Sequence, residues 1–140
     1  MYPYLADLGM EVVVAGSALH IDKDLVAASA TPLVLGILAD GESYGYAILK
    51  RVRELSGGQM AWTDGMLYPL LHRLERQGYV QASWGTADSG RKRKHYALTR
   101  SGRDALAERR QQWEVVAEAL EQVWPNIRHS LTPMQPGLAQ

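Results

Sequence analysis

The chain has 140 residues, 46% of them hydrophobic, with 15 Lys+Arg balanced by 15 Asp+Glu and no cysteine. One domain with its own core is feasible at this length, while the large two-layer enzyme folds of roughly 200 residues or more are excluded, as are a disulfide framework, a thiolate nucleophile and Cys-ligated zinc. No apolar run approaches the roughly 18 residues needed to span a bilayer, and residues 1–20 carry Asp7 and Glu11 but no Lys or Arg, the wrong charge for a secretory leader, so the expected location is the cytoplasm, without a membrane partner.

Residues 1–20 read as a poorly ordered N-terminal extension. Thr31-Pro32 followed by the apolar stretch Leu33 to Leu38 predicts a helix start, with Thr as N-cap and Pro at the first helical position, where its missing N–H costs nothing. Asp40-Gly41 ends that helix. Ser43 caps a second, whose apolar positions Tyr46, Ala47, Ile48, Leu49 and Val52 recur at helical spacing until Gly57-Gly58 close it. Thr63 caps a third, in which Leu67, Leu70, Leu71 and Leu74 fall at i, i+3, i+4 and i+7, and Gly78 sits just past its end.

After Gly78 the period changes. Tyr79 to Trp84 and Lys94 to Leu98 are aromatic and β-branched enough to be two short strands, joined by a loop that ends in Arg91 to Arg93. Thr99 caps a final helix that runs to Trp124, before Pro125, and at about 26 residues is on the order of 39 Å long. The tail from Asn126, with Pro133, Pro136 and Gly137, has too little apolar surface to fold alone.

The order α-α-α-β-β-α makes the fold mainly α with a small β-hairpin, a winged helix-turn-helix plus a long C-terminal helix. The expected division is a winged-helix unit over 21–98, a dimerisation helix over 99–127 and a flexible tail over 128–140. Such a unit lays its third helix in the major groove of DNA and touches the flanking backbone or minor groove with the hairpin. The neutral total charge is no objection, because residues 66–103 hold eight bases against two acids, and a polyanion responds to a concentrated patch.

The run Leu35 to Gly41, then Ser43-Tyr-Gly-Tyr-Ala-Ile-Leu49, Leu67-Tyr-Pro-Leu-Leu-His-Arg-Leu-Glu75, Gly90-Arg-Lys-Arg-Lys94 with Tyr96, and Leu98-Thr-x-x-Gly102 resembles the PadR family of bacterial transcriptional regulators, over residues 25 to 124. The leucine-rich segment and the basic wing, in this order and spacing, are specific to it, and the single long final helix is similar to its short subfamily. The resemblance implies DNA binding, a homodimer with interleaved terminal helices, and relief of repression by a small, often aromatic molecule. One departure is Met66, which brings no hydroxyl to a position where the family usually carries Thr or Ser.

Opposite the leucine stripe of the third helix stand Gly65, Tyr68, Pro69, His72, Arg73 and Arg76. Arg and His can donate to base edges or phosphate, and Tyr adds a hydroxyl on a flat ring. A polar face is common on any surface helix, but Pro69 removes a backbone hydrogen bond at a cost of roughly 3 kcal/mol, which asks for a function. Thr63, Gly65, Tyr68, His72 and Arg73 are therefore the expected readers. In the wing Arg91, Lys92, Arg93 and Lys94 repel one another unless a polyanion neutralises them, so they are the expected phosphate contacts, supplying affinity and salt dependence.

Other chemistry fails on context. Gly41-Glu-Ser43-Tyr-Gly45 matches the G-x-S-x-G nucleophile elbow, but that motif needs a multistranded parallel sheet. His20, His72, His95 and His129 have no i, i+4 pairing and no carboxylate at ligand spacing, so no metal or other cofactor is expected.

Along the last helix Leu106, Trp113, Leu120 and Ile127 repeat every seven residues, with Val116, Ala117, Val123 and Trp124 between them. A helix projecting from a small domain cannot bury that stripe on its own, and a second copy is the natural partner, since a two-fold axis also matches a palindromic operator in double-stranded DNA. Trp113, a large ring in an aliphatic seam, is the candidate contact for an aromatic effector, with plain packing as the competing role. The functional expectation is a DNA-binding repressor. The alternative is a dimeric interaction module with no DNA role, whose basic patch binds an acidic protein or RNA.

Overall fold

The computed structural model describes residues 19–124. Ile127, His129, the tail and all of the N-terminal extension but Leu19 and His20 lie outside them. The elements run α1 (Lys23–Ala39), β1 (Ser43–Tyr44), α2 (Gly45–Leu55), α3 (Asp64–Arg76), β2 (Val80–Thr86), β3 (Lys92–Leu98) and α4 (Arg100–Val123). The sheet is antiparallel in the order β1-β3-β2. This is a winged helix with a long C-terminal helix, mainly α, as the element order implied.

Three local expectations are corrected. The first helix does not start at Thr31: it starts at Lys23, with Asp22 at the N-cap position and Asp24 in the first turn, and Thr31-Pro32 lies in its middle. The alanine-rich segment before the proline carries helix propensity, and burial of Val34, Leu35 and Leu38, about 1.5–3 kcal/mol each, outweighs the lost hydrogen bond. Ser43 does not cap α2 either. It pairs across the sheet with Tyr96, and Tyr44 with His95, so the two residues before α2 become a third strand that seals one edge of β3. The wing strands are also longer than expected. Lys92, Arg93 and Lys94 stand within β3, and only Arg91 remains in the turn, which Ala87 N–H to Arg91 O (2.8 Å) and Gly90 N–H to Ala87 O (2.9 Å) close.

The core gathers Val34, Leu35 and Leu38 from α1, Ile48 and Val52 from α2, Trp62 from the connection before α3, and Leu67, Leu70, Leu71 and Leu74 from α3. Val80, Tyr96 and Ala105 close it. The leucine stripe of α3 thus faces inward as its spacing required, and four buried leucines outweigh the cost of Pro69 inside the helix.

The start of α4 is fixed tightly. Thr99 Oγ1 donates to Gly78 O (2.6 Å) and accepts from Gly102 N–H (3.0 Å), and Thr99 N–H donates to Tyr79 O (3.0 Å). A Cβ on Gly102 would run into the Tyr79 carbonyl and the Leu98 side chain. Gly78 takes φ 81°, a left-handed conformation that suits glycine. The end of α3, the start of β2 and the start of α4 are therefore one joint.

Candidate nucleic-acid interface

Two helices and the wing enclose the candidate site. Between α2 and α3 the chain turns at Gly57 and Gly58, both with positive φ, and Trp62 anchors the connection in the core. Thr63 takes the N-cap position of α3 without a side-chain cap bond. That leaves its hydroxyl exposed beside the exposed Gly65 and Met66. Tyr68 lies against the first residue of α2. A Cβ on Gly45 would fall on the Tyr68 hydroxyl, so glycine there lets α3 and α2 approach closely.

The helix geometry divides the expected readers. Gly65, Tyr68 and His72 share one exposed face. Arg73 stands about 100° further round from His72, and its Nη2 donates to Thr31 Oγ1 on α1 at 3.2 Å. The bond draws this guanidinium towards the buried Thr31, although Arg73 as a whole is an exposed residue.

The wing divides its cations likewise. Successive strand residues face opposite sides, and cross-strand partners share a side. Trp84 pairs with Lys94 and Thr86 with Lys92, on the side that Tyr96 turns into the core. Arg93 and His95 are on the other side, where the Arg93 guanidinium stacks 3.8 Å above the Tyr44 ring and Tyr44 meets His95 at 5.6 Å between ring centres. Glu42 Oε2 lies 3.3 Å from His95 Nδ1, off the hydrogen-bonding direction, so the nitrogen has a carboxylate neighbour but no hydrogen-bond partner.

Between wing and helices runs an open groove of about 580 Å³, lined by Tyr46, Tyr68, His72, Trp84, Arg91 and Lys94 among others. Tyr46 and Trp84 are 66% and 67% exposed, costly for large rings unless something covers them. Neither was among the expected site residues. Trp84 was legible in principle, because pairing the two strands through the loop sets it beside Lys94. Tyr46 was not, since its helical spacing assigns it to a core stripe.

Tyr96 closes the inner end of the groove. Its hydroxyl is buried without a hydrogen-bond partner, Lys94 Nζ lies 5.7 Å from its ring centre, and burial, with Glu75 and Tyr68 nearby, pushes its pKa above the ordinary 10.0. It stays neutral at physiological pH.

On α4, Leu106 packs against the chain's own core, so the stripe opens only beyond it. Trp113 is half-buried, while Val116, Leu120, Val123 and Trp124 are exposed, Val123 by 72%. No described residues form a group of three or more metal-ligating side chains, and no described helix is long and apolar enough to cross a membrane.

This architecture has relatives. The model of the transcriptional regulator PadR-like family matches residues 34–108. The transcriptional regulator Rv3488 of Mycobacterium tuberculosis is 38% identical over 84 residues, which are 60% of this chain and 75% of that protein. Among solved structures, a transcriptional regulator from Clostridium thermocellum superposes with a TM-score of 0.66 at 25% identity, covering 71% of this chain and 97% of that one. A PadR family transcriptional regulator from Eggerthella lenta gives 0.61 at 32% identity, covering 71% and 85%. Because the family match runs unbroken from the middle of α1 through the helix pair and the wing into α4, the chain belongs to the PadR-like family of transcriptional regulators, DNA-binding proteins rather than enzymes.

Proposed function

We propose that the protein is a homodimeric repressor that grips a palindromic operator in double-stranded DNA and is released by a small aromatic effector. The observation that carries this reading is the groove, where the exposed face of α3 looks across at a basic, aromatic strand of the wing. In the proposal Thr63, Gly65, Tyr68 and His72 face the bases of the major groove, and Arg91, Lys92, Lys94 and, from its place on the Tyr44 ring, Arg93 neutralise phosphates. The winged-helix unit over 21–98 does the reading, and the helix over 99–127 joins two copies, in the cytoplasm with the chromosome. The exposed Val116, Leu120, Val123 and Trp124 support a seam between two α4 helices. Trp113, in that stripe, is the proposed effector contact, since stacking on an aromatic ring adds roughly 0.5–1.5 kcal/mol beyond burial.

The test is selection of duplexes from a random library with the full chain, followed by sedimentation of the complex. Recovery of an inverted repeat bound by two chains supports the reading. Recovery of no duplex, with retention of RNA or an acidic protein instead, replaces it with the interaction-module alternative. For the effector, flat aromatic compounds should quench tryptophan fluorescence saturably, and Trp113→Ala should abolish the response while Trp62, Trp84 and Trp124 variants keep it. If no aromatic compound perturbs the wild-type protein, Trp113 is a packing residue.

A further inference from the structure

Arg73 belongs to the reading helix, yet its guanidinium bonds outside the groove. Its Nη2 donates to Thr31 Oγ1 at 3.2 Å, and Thr31, 6% exposed, is the buried polar residue of the core among the described residues. The two helices joined by this bond put side chains into one core, but their closest backbone neighbours are other elements. α3 packs against α2 and β2, while α1 packs against α4, β3 and α2. Thr31 also precedes Pro32, whose ring leaves the turn before it with one hydrogen bond fewer, so a polar side chain there sits at a weak point of the α1 backbone.

A buried hydroxyl wants a partner, and leaving one unsatisfied is destabilising. A planar guanidinium holds its acceptor in a directed geometry that a flexible ammonium does not reproduce. The buried leucines of α3 orient its inner face, and a directed bond from its flank to α1 adds a second fixed point that resists rotation of the helix about its axis.

We propose that Arg73 is a positioning residue, which latches α3 to Thr31 of α1 and thereby holds Tyr68 and His72 in reading orientation, rather than contacting bases itself. Because α1 packs on α4, the latch is also the polar link by which the geometry of the long helix reaches the reading face. The proposal rests on the DNA-binding reading for its consequence but not for its geometry, so it can be tested in the free protein.

The full chain is compared with Thr31→Val, Thr31→Ser, Arg73→Ala and the Thr31→Val/Arg73→Ala double variant. Thr31→Val keeps the shape and deletes the acceptor, whereas Thr31→Ser keeps the acceptor. Amide hydrogen exchange over Asp64–Arg76, read without DNA, should quicken equally in Thr31→Val, Arg73→Ala and the double variant, and match wild type in Thr31→Ser. On a duplex selected by the wild-type chain, preference over a scrambled duplex should fall about tenfold in each of the three, the size of one charge-assisted hydrogen bond. It should fall no further in the double variant, and Thr31→Val should leave the salt slope unchanged. Wild-type exchange and preference in Thr31→Val, with a loss in Arg73→Ala alone, would make Arg73 a direct reader and overturn the latch, and so would additive losses in the double variant. If the wild-type chain selects no duplex, the DNA reading falls while the exchange comparison still decides the latch.

Discussion

Two features of the groove, Tyr96 and the cations of β3, make sharp expectations. Tyr96 combines a buried, unpartnered hydroxyl with a raised pKa. An unsatisfied buried hydroxyl costs about 1–3 kcal/mol, so Tyr96→Phe should leave the thermal midpoint at neutral pH equal to wild type or higher, by up to ~1 kcal/mol in stability. The pH dependence has a definite sign. A tyrosine whose folded pKa lies above 10.0 holds its proton more tightly in the fold, so its contribution is complete below the unfolded value and is lost as pH climbs past 10. Denaturant melts between pH 8 and roughly 11 should therefore show a shallower alkaline loss in Tyr96→Phe. Equal slopes would mean that Tyr96 does not drive the alkaline loss. The wing gives the second expectation. All three cations line the groove, but Lys92 and Lys94 share a face of β3 with the cross-strand Trp84, whereas the Arg93 guanidinium is already stacked on the Tyr44 ring. Lys92→Ala and Lys94→Ala should each lower the log-log salt dependence of DNA binding by about one unit, and Arg93→Ala should lower it less. Equal slopes for all three would show that the alternation of the strand does not sort these contacts.

At the scale of elements, the joint between α3, β2 and α4 is the place where one atom matters most. Gly102 has no room for a Cβ against the Tyr79 carbonyl and Leu98, and Thr99 ties the helix start to Gly78. Gly102→Ala should destabilise the fold by about 1–3 kcal/mol, as overpacking does, and tilt α4 relative to the wing. Thr99→Ala should cost about 1 kcal/mol through the lost cap. Chemical denaturation of both variants checks this, and a Gly102→Ala protein as stable as wild type would show that the joint is loose. The same elements explain two misreadings from sequence. Thr31-Pro32 carries the local signature of a helix start, but helix ends are settled by what the flanking turns bury. Ser43 carries the signature of a cap, but its backbone found a partner in Tyr96, too far along the chain for any local pattern to reach.

For the whole molecule, the open apolar side of α4 predicts dependence on a second copy. A chain ending after Arg110 should sediment as a monomer and bind the selected duplex orders of magnitude more weakly, because linking two half-sites makes the second binding event effectively intramolecular. A full-length protein that is monomeric at micromolar concentration would end the dimer proposal.

Periodicity, caps and the clustering of basic residues determined by themselves the winged-helix class, the leucine core of α3, the long helix begun at Thr99 and the region that carries the basic wing. These are legible because each follows from spacing within a dozen residues or fewer, where helix and strand geometry translate directly into faces. Tertiary structure alone decided that α1 begins at Lys23, that Ser43-Tyr44 becomes a strand, that Lys92 and Lys94 part from Arg93, and that Arg73 turns to Thr31. Each of those depends on a partner from a distant element, and burial against that partner outweighs the local preference of a few residues.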